Sequence, residues 1–219
     1  MTKISSQSRL SRLLAAVALS VTLGVTLSAC FPMVMGGAVM GGLVATDRRT
    51  SGAQLEDEGI EVRATNRIWD NLGDRGHVNV SSYNRRVLIT GEVPNAQDKQ
   101  LVEQVVSRVE NVQSVVNELA ELGNATLSQR SSDVLVTGRV KAGMVDAKDL
   151  YANAFKVVTE RGITYLMGRV TQREADRATE ITRSTSGVQK VVRVFEIISE
   201  DELRNMLPQP APASAAAKK

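Results

Sequence analysis

Few side chains in this sequence could do covalent or acid–base chemistry. Its 219 residues hold one Cys, one His, one Trp, three Tyr and three Phe. Cys30 is a lone thiol, so no internal disulfide can form. With His77 as the single imidazole, a Cys/His zinc site cannot be completed. A hydrolase built on a Ser–His pair would have to use His77. That residue stands at the edge of a predicted strand, with no acid–base partner near it in sequence. Ser81 and Ser82 alternate with valines and read as solvent-facing strand residues. No P-loop, no GxGxxG and no metal-ligand spacing occurs. The residue inventory therefore predicts no catalytic residue, no metal and no cofactor, and points to a binding module. With 42% hydrophobic but only 3% aromatic residues, its core must be built of Val, Leu, Ile and Ala.

The one reactive residue with a meaningful context is Cys30. Lys3, Arg9 and Arg12 precede an apolar run, Leu13 to Leu27, that is too short for a comfortable bilayer span. The run ends in Leu27-Ser28-Ala29-Cys30, which resembles the lipobox of bacterial lipoproteins. The resemblance implies that residues 1–29 are a signal peptide, that Cys30 becomes the new N-terminus, and that it carries lipid chains, palmitate among them. Several acyl chains hold a protein on a membrane where one would not. Phe31, rather than Asp, follows Cys30, and the lipoprotein rule then implies the outer membrane. Residues 1–29 contain three basic and no acidic side chains, so 24 basic and 24 acidic residues remain in the mature chain. The precursor's pI of about 9.2 is thus no argument for nucleic acid, which needs a basic footprint. Residues 30–53 read as lipidated Cys and tether. Within them, Phe31 to Ala45 is apolar and rich in Gly and Met, suited equally to the headgroup region or to a flexible connection. Thr46 to Ala53 reads as polar linker.

The remainder repeats. Val87-Leu88-Ile89-Thr90-Gly91-Glu92-Val93 matches Thr164-Tyr165-Leu166-Met167-Gly168-Arg169-Val170, and Asn111-Val112-Gln113-Ser114-Val115-Val116 matches Gly187-Val188-Gln189-Lys190-Val191-Val192. Each copy reads as helix, strand, strand, helix, strand. In the first, Ile60, Ala64, Ile68 and Leu72 recur at helical spacing, and Asn95 is placed to cap a second helix striped by Leu101, Val102, Val105, Val106 and Val109. Tyr83 to Arg86 fits a tight turn, and Val112–Leu119 the closing strand. In the second copy, Arg161-Gly162 is the turn, Thr171-Gln172-Arg173-Glu174 a capping box, and Val188–Ile198 the last strand. Another box, Ser199 to Glu202, opens a short helix at 200–207 before Pro208, and 208–219 reads as disordered. Gly91 and Gly168 lie inside strands, where glycine marks a bulge or close backbone approach, and both are read as structural. Trp69 is expected to be partly buried.

The initial helix, the V-x-L-x-G-x-V strand, the second helix and the closing Asn/Gly-Val strand resemble the BON domain. Val87–Val93 with Val112–Leu119 carries the resemblance in copy one, and Tyr165–Val170 with Gly187–Phe195 in copy two, although Asn111 stands where the family usually has Gly. The expected fold is α+β, with two tandem αββαβ modules, each a three-stranded mixed sheet with helices on it. The first spans 54–122 and the second 131–199, with a linker at 123–130. With the lipobox, the chain resembles dual-BON outer-membrane lipoproteins of Gram-negative bacteria. That resemblance implies a periplasm-facing lipoprotein that binds anionic phospholipid and supports membrane integrity. The alternative is an adaptor docking envelope or division-associated proteins.

Charge divides unequally between the copies. Residues 54–122 hold 7 basic and 12 acidic side chains, and residues 130–199 hold 12 basic and 8 acidic. An anionic surface would favour the second module, at about 1 kcal/mol per juxtamembrane basic residue. Alignment of the first helices puts Val136, Val140 and Met144 on the core positions of Ile60, Ala64 and Ile68. Leu135, Arg139, Ala142 and Val145 then fall near the outer face, with Lys141 at its edge. Such a mixture of apolar and basic groups suits an interfacial helix, and these five residues are the candidate lipid-binding set. The same stripe could instead pack against the first module or the C-terminal helix. Gly138 and Gly143 weaken this helix by about 1 kcal/mol each relative to Ala.

Overall fold

Thr50 begins the first module by accepting a 3.1 Å hydrogen bond from the Ala53 amide, and helix α1 runs over Ser51–Leu72. Residues 51–53, read from sequence as the end of the tether, are its first turn. Ile60, Ala64, Ile68 and Leu72 are its buried side chains, together with Asp57. Strands β1 (His77–Tyr83) and β2 (Arg86–Val93) pair antiparallel. Their two-residue turn has φ of 50° at Asn84 and 64° at Arg85, the left-handed pair that matches strand twist in a tight hairpin. Helix α2 (Ala96–Ser107) is capped by Asn95, whose side chain accepts from the Asp98 amide at 2.8 Å. The computed structural model that shows this architecture describes residues 47–206. Cys30, the signal peptide, residues 30–46, Leu207, Pro208 and the C-terminal tail lie outside the described residues.

The closing strand of this module is interrupted. β3 (Ser114–Asn117) and β4 (Ala120–Glu121) both pair parallel with β2, where one strand over 112–119 was expected. The Asn117 side chain turns back to accept from the Leu119 amide, and Leu119 is buried in the core. Filling that core separates the two short ladders. Asn111 has φ of 66° and its counterpart Gly187 has φ of 99°. Asn is among the few residues that tolerate this region, so its substitution for Gly preserves the bend.

The second module follows the same plan. Helix α3 (Leu127–Asp146) begins inside the segment expected to be linker, because Thr126 and Gln129 form a complete capping box. Strands β5 (Phe155–Glu160) and β6 (Ile163–Val170) form the hairpin, and β7 (Lys190–Ile197) joins β6 parallel. Helix α4 (Gln172–Ser184) carries the Thr171–Glu174 capping box. α5 (Glu200–Met206) starts where the Ser199 hydroxyl accepts from the Glu202 amide. The cores of the two modules are separate: Ile60, Ala64, Ile89 and Val102 lie in one, and Val136, Val140, Leu166 and Ala178 in the other.

A third cluster joins them. Tyr83 and Leu88 of the first sheet meet Tyr165, Met167 and Val194 of the second, all buried. Each sheet therefore has helices on one face and the other sheet on its opposite face. This explains the near-continuous apolar runs of β2 and β6, the central strands, since a strand covered on both faces loses its alternation. The seam is also polar at its margins. Asn84 donates to Glu196 at 2.7 Å, Arg86 to the Phe195 carbonyl at 3.1 Å, and Lys156 pairs with Glu61.

Gly91 has φ of +112°, and a Cβ there would stand 2.0 Å from the His77 carbonyl oxygen. At Gly168 it would stand 2.5 Å from the Ala154 carbonyl oxygen. At Gly138, in the middle of α3, nothing lies within 4 Å. Gly91→Ala is expected to lower unfolding free energy by at least about 2 kcal/mol, from backbone strain plus collision. Gly138→Ala is expected to raise it by up to about 1 kcal/mol. Urea titrations of the two variants beside the parent check both signs.

Candidate functional site

α3 presents its core side chains, Val136, Val140 and Met144, to β5 and α4, and its opposite face to solvent. All five candidate residues are exposed: Leu135, Arg139, Lys141, Ala142 and Val145. The structure adds two that the sequence reading missed by starting the helix too late. Leu127 is 80% and Val134 71% exposed, alongside 61% for Leu135 and 69% for Val145. At 3.6 residues per turn, Leu127, Val134, Gly138, Lys141 and Val145 fall along one line, flanked by Leu135 and Ala142. The Thr126-x-x-Gln129 box was the signal that would have placed them.

About half of the positive charge of the second module is paired away from α3. Arg169 pairs with Glu196 and Glu202, Arg177 with Asp149 and Glu180, and Arg193 with Asp176. Lys156 and Arg161 reach across to Glu61 and Glu92 of the first module. Among the described residues, no carboxylate lies within ion-pair distance of Arg139, Lys141 or Lys148. Arg139 reaches only the Ser186 carbonyl, at 3.4 Å. Among the described residues, Arg130, Arg139 and Lys141 on α3 and Lys148 just beyond it are thus without a carboxylate partner, as are Arg183 on α4 and Lys190 on β7.

The segment before α1 is not a loose linker. Arg48 donates through both terminal nitrogens to Glu174, at 2.7 and 2.6 Å, and to the Arg169 carbonyl at 2.8 Å. The two side chains are 3% and 1% exposed. Arg49 pairs with Asp47 and Asp57 and lies 4.3 Å over the Tyr83 ring. Residues 47–49 are therefore a strap fixed to both modules. Asp47, Gln54, Lys141, Val145 and Phe155 line a cleft of about 450 Å³, so the strap lies beside the C-terminal half of α3. Nothing in the local sequence marks an Arg as docked, and the partner Glu174 was legible only as a capping residue.

Burial works to raise the Glu174 pKa, but the Arg48 fork and the Thr171 amide outweigh it and hold it below the usual carboxylate value. Asp57 behaves alike: burial raises its pKa, while the hydroxyl of Ser82, which is buried and not solvent-facing as its sequence context suggests, the Arg85 amide, Arg49 and the Asn84 amide bring it down on balance.

A second cluster lies where β1 and β2 meet β5. His77 Nδ1 stands 3.3 Å from Glu92 Oε2, and Arg161 reaches Glu92 Oε1 at 3.4 Å. The Ala125 amide donates to Oε2 at 3.2 Å. Asn79 donates to Glu160. Burial pushes the Glu160 pKa up against the pull of Asn79 and His77, with Glu92 and Asp133 adding repulsion. Ligand atoms of His77, Glu92 and Glu160 all lie within 4.8 Å of one another. The turn read at Tyr83 to Arg86 already implies that His77 faces Glu92 across the hairpin, whereas Glu160, on the other module, was not legible.

An αββαβ module used twice, with sheets back to back and a strap across both, defines a tandem two-module scaffold. Residues 54–122 and 132–199 each match the BON domain, and the chain belongs to the BON domain family. It is 38% identical over 82% of its length to the outer membrane lipoprotein DolP of Haemophilus influenzae, covering 95% of that protein. It is 29% identical over 69% of its length to a 21 kDa hemolysin of Actinobacillus pleuropneumoniae, covering 79% of it. Among solved structures, CdsD, a structural protein of the type III secretion system of Chlamydia trachomatis, overlaps 72% of this chain and 99% of its own, at 13% identity and a TM-score of 0.28. Among the described residues no helix is long and apolar enough to cross a membrane.

Truncating Arg48 leaves a buried carboxylate unpaired. Arg48→Ala is expected to cost about 3–5 kcal/mol at neutral pH. The folded Glu174 pKa is depressed, so its stabilisation is complete above the unfolded value of about 4.3 and is lost as pH falls through the folded pKa. The gap between parent and variant is therefore widest at pH 7 and narrows on acidification. Denaturant titrations from pH 7 to 3 check this.

Proposed function

We propose that this chain is an outer-membrane lipoprotein, held by acyl chains on Cys30 and facing the periplasm. Its second module binds anionic phospholipid through the outer face of α3, without catalysis, and so supports outer-membrane integrity. The observation that carries the reading is the exposed line Leu127, Val134, Leu135 and Val145 beside Arg139 and Lys141, whose charges no carboxylate neutralises. Apolar groups on such a face enter the acyl boundary while the long basic side chains remain at phosphate level. The strap lies against the C-terminal half of α3, with Asp47 beside Lys141 and Val145. One further point supports the reading: the relative DolP is named an outer membrane lipoprotein.

A second reading rests on α1. Leu55, Val62 and Trp69, seven residues apart, are 72%, 60% and 65% exposed, so Trp69 is not the partly buried residue expected. This stripe belongs to the acidic module, which an anionic membrane would repel. It suits an envelope or division-associated protein partner, with the chain acting as an adaptor.

The test is co-sedimentation of a soluble 46–219 fragment with vesicles. Binding to anionic but not neutral vesicles is expected, weakening with salt. Leu135→Glu with Val145→Glu should reduce it at least tenfold. Arg139→Ala and Lys141→Ala should each cost about 1 kcal/mol, roughly fivefold. Binding that survives the double glutamate variant with the fold intact would remove α3 from the account. Absence of binding altogether would leave Cys30 as the membrane contact and bring the adaptor reading forward.

A further inference from the structure

We propose that His77, Glu92 and Glu160 form a divalent-cation site, taking zinc or a similar borderline first-row ion, that staples the two modules together. His77 and Glu92 are cross-strand neighbours in the β1–β2 ladder, and Glu160 closes β5 of the second module. One imidazole and two carboxylates are a donor set that zinc accepts.

The geometry carries the inference. Two ligands each about 2.1 Å from a tetrahedral ion stand roughly 3.4 Å apart, and His77 Nδ1 and Glu92 Oε2 are 3.3 Å apart. Ligand atoms of all three residues lie within 4.8 Å, so a small shift of the half-buried Glu160 side chain completes the set. A fourth position is left for water. Glu92 is wholly buried, yet its contacts are long: 3.2 Å to the Ala125 amide, 3.3 Å to His77 and 3.4 Å to Arg161. A buried carboxylate normally holds its partners closer than this. Arg161 and Asn79 occupy the places of outer partners, touching Glu92 Oε1 and Glu160 Oε1, and would orient the two carboxylates. The Arg161 side chain is 32% exposed and can turn to solvent when the ion enters.

A cation held this way binds only the docked arrangement of the two modules, so it should stabilise that arrangement by mass action. The site does not depend on the phospholipid reading, since it lies on β1, β2 and β5 and not on α3.

The experiment uses the full-length lipoprotein without a polyhistidine tag, in non-ionic detergent, stripped with EDTA and titrated with zinc chloride by calorimetry. One ion per chain is expected, with a melting temperature that rises with zinc concentration. His77→Ala and Glu160→Gln should each weaken binding at least tenfold and abolish the melting shift. Because His77 is the single imidazole, its side-chain nitrogen resonances in the unaltered protein should move on saturation, which requires no variant to fold. Absence of saturable one-to-one binding, binding unaffected by His77→Ala, or unmoved imidazole resonances at saturation would each overturn the proposal.

Discussion

In both modules a buried carboxylate on the first helix holds the turn of the hairpin, and the architecture depends on it. Asp57 accepts from the Asn84 and Arg85 amides at 2.7 Å, and Asp133 from the Arg161 and Gly162 amides at 2.7 and 2.9 Å. The two aspartates stand 76 residues apart, the spacing that also relates Ile60 to Val136 and Ala64 to Val140. A turn with positive φ at both central positions directs its amides outward from the ladder, and buried amides must find acceptors. An ionised helix side chain satisfies two at once and fixes the helix against the sheet. The apolar stripe of that helix then falls on β1 and β2, or on β5 and β6, and the rest of each core is packed around this choice.

Once each helix is pinned to one face of its hairpin, the opposite face must be covered, because β2 and β6 carry apolar residues on both sides. The modules solve this by packing sheet on sheet. The acidic excess of the first and the basic excess of the second meet partly along this seam, in Lys156 with Glu61 and Arg161 with Glu92. Module charge is thus a weak guide to what the surface binds. The local balance on α3, after internal pairs are removed, is the quantity that matters to a membrane.

What the sequence made legible followed from local rules. The repeat, both hairpins, the Asn95 and Thr171 caps and the outward placement of Leu135, Arg139 and Val145 each rest on spacing or on one capping residue. The misses needed contacts between residues far apart in the chain. Arg48 reads as linker until Glu174, 126 positions away, is brought beside it. His77 meets Glu92 through the hairpin register, but Glu160 joins them only when β5 of the other module arrives. The break between β3 and β4 comes from Leu119 filling the core, which strand periodicity does not encode. Trp69 was misplaced for another reason: its size suggested burial, while its position one residue after Ile68 turns it away from the core.

The two first helices show why an apolar stripe alone does not define a ligand. α1 exposes Leu55, Val62 and Trp69, and α3 exposes Leu127, Val134 and Val145, on corresponding outward faces. Both would gain by leaving water. Each stripe is flanked by one Arg without a carboxylate partner among the described residues, Arg67 on α1 and Arg139 on α3, but α3 adds Lys141 within its line, whereas Glu58, Asp70 and the wider acidic surface border the stripe on α1. Near a negative interface each basic residue is worth about 1 kcal/mol, and each acidic one is opposed similarly. The same hydrophobic gain is therefore reinforced on one helix and cancelled on the other. The strap held by Arg48 runs straight into α1, and its Asp47 lines one cleft with Gln54 of α1 and with Lys141 and Val145 of α3, so the charge bordering each stripe, rather than distance from the strap, distinguishes the two faces. That difference in bordering charge is what the proposed preference of an anionic surface for the second module rests on.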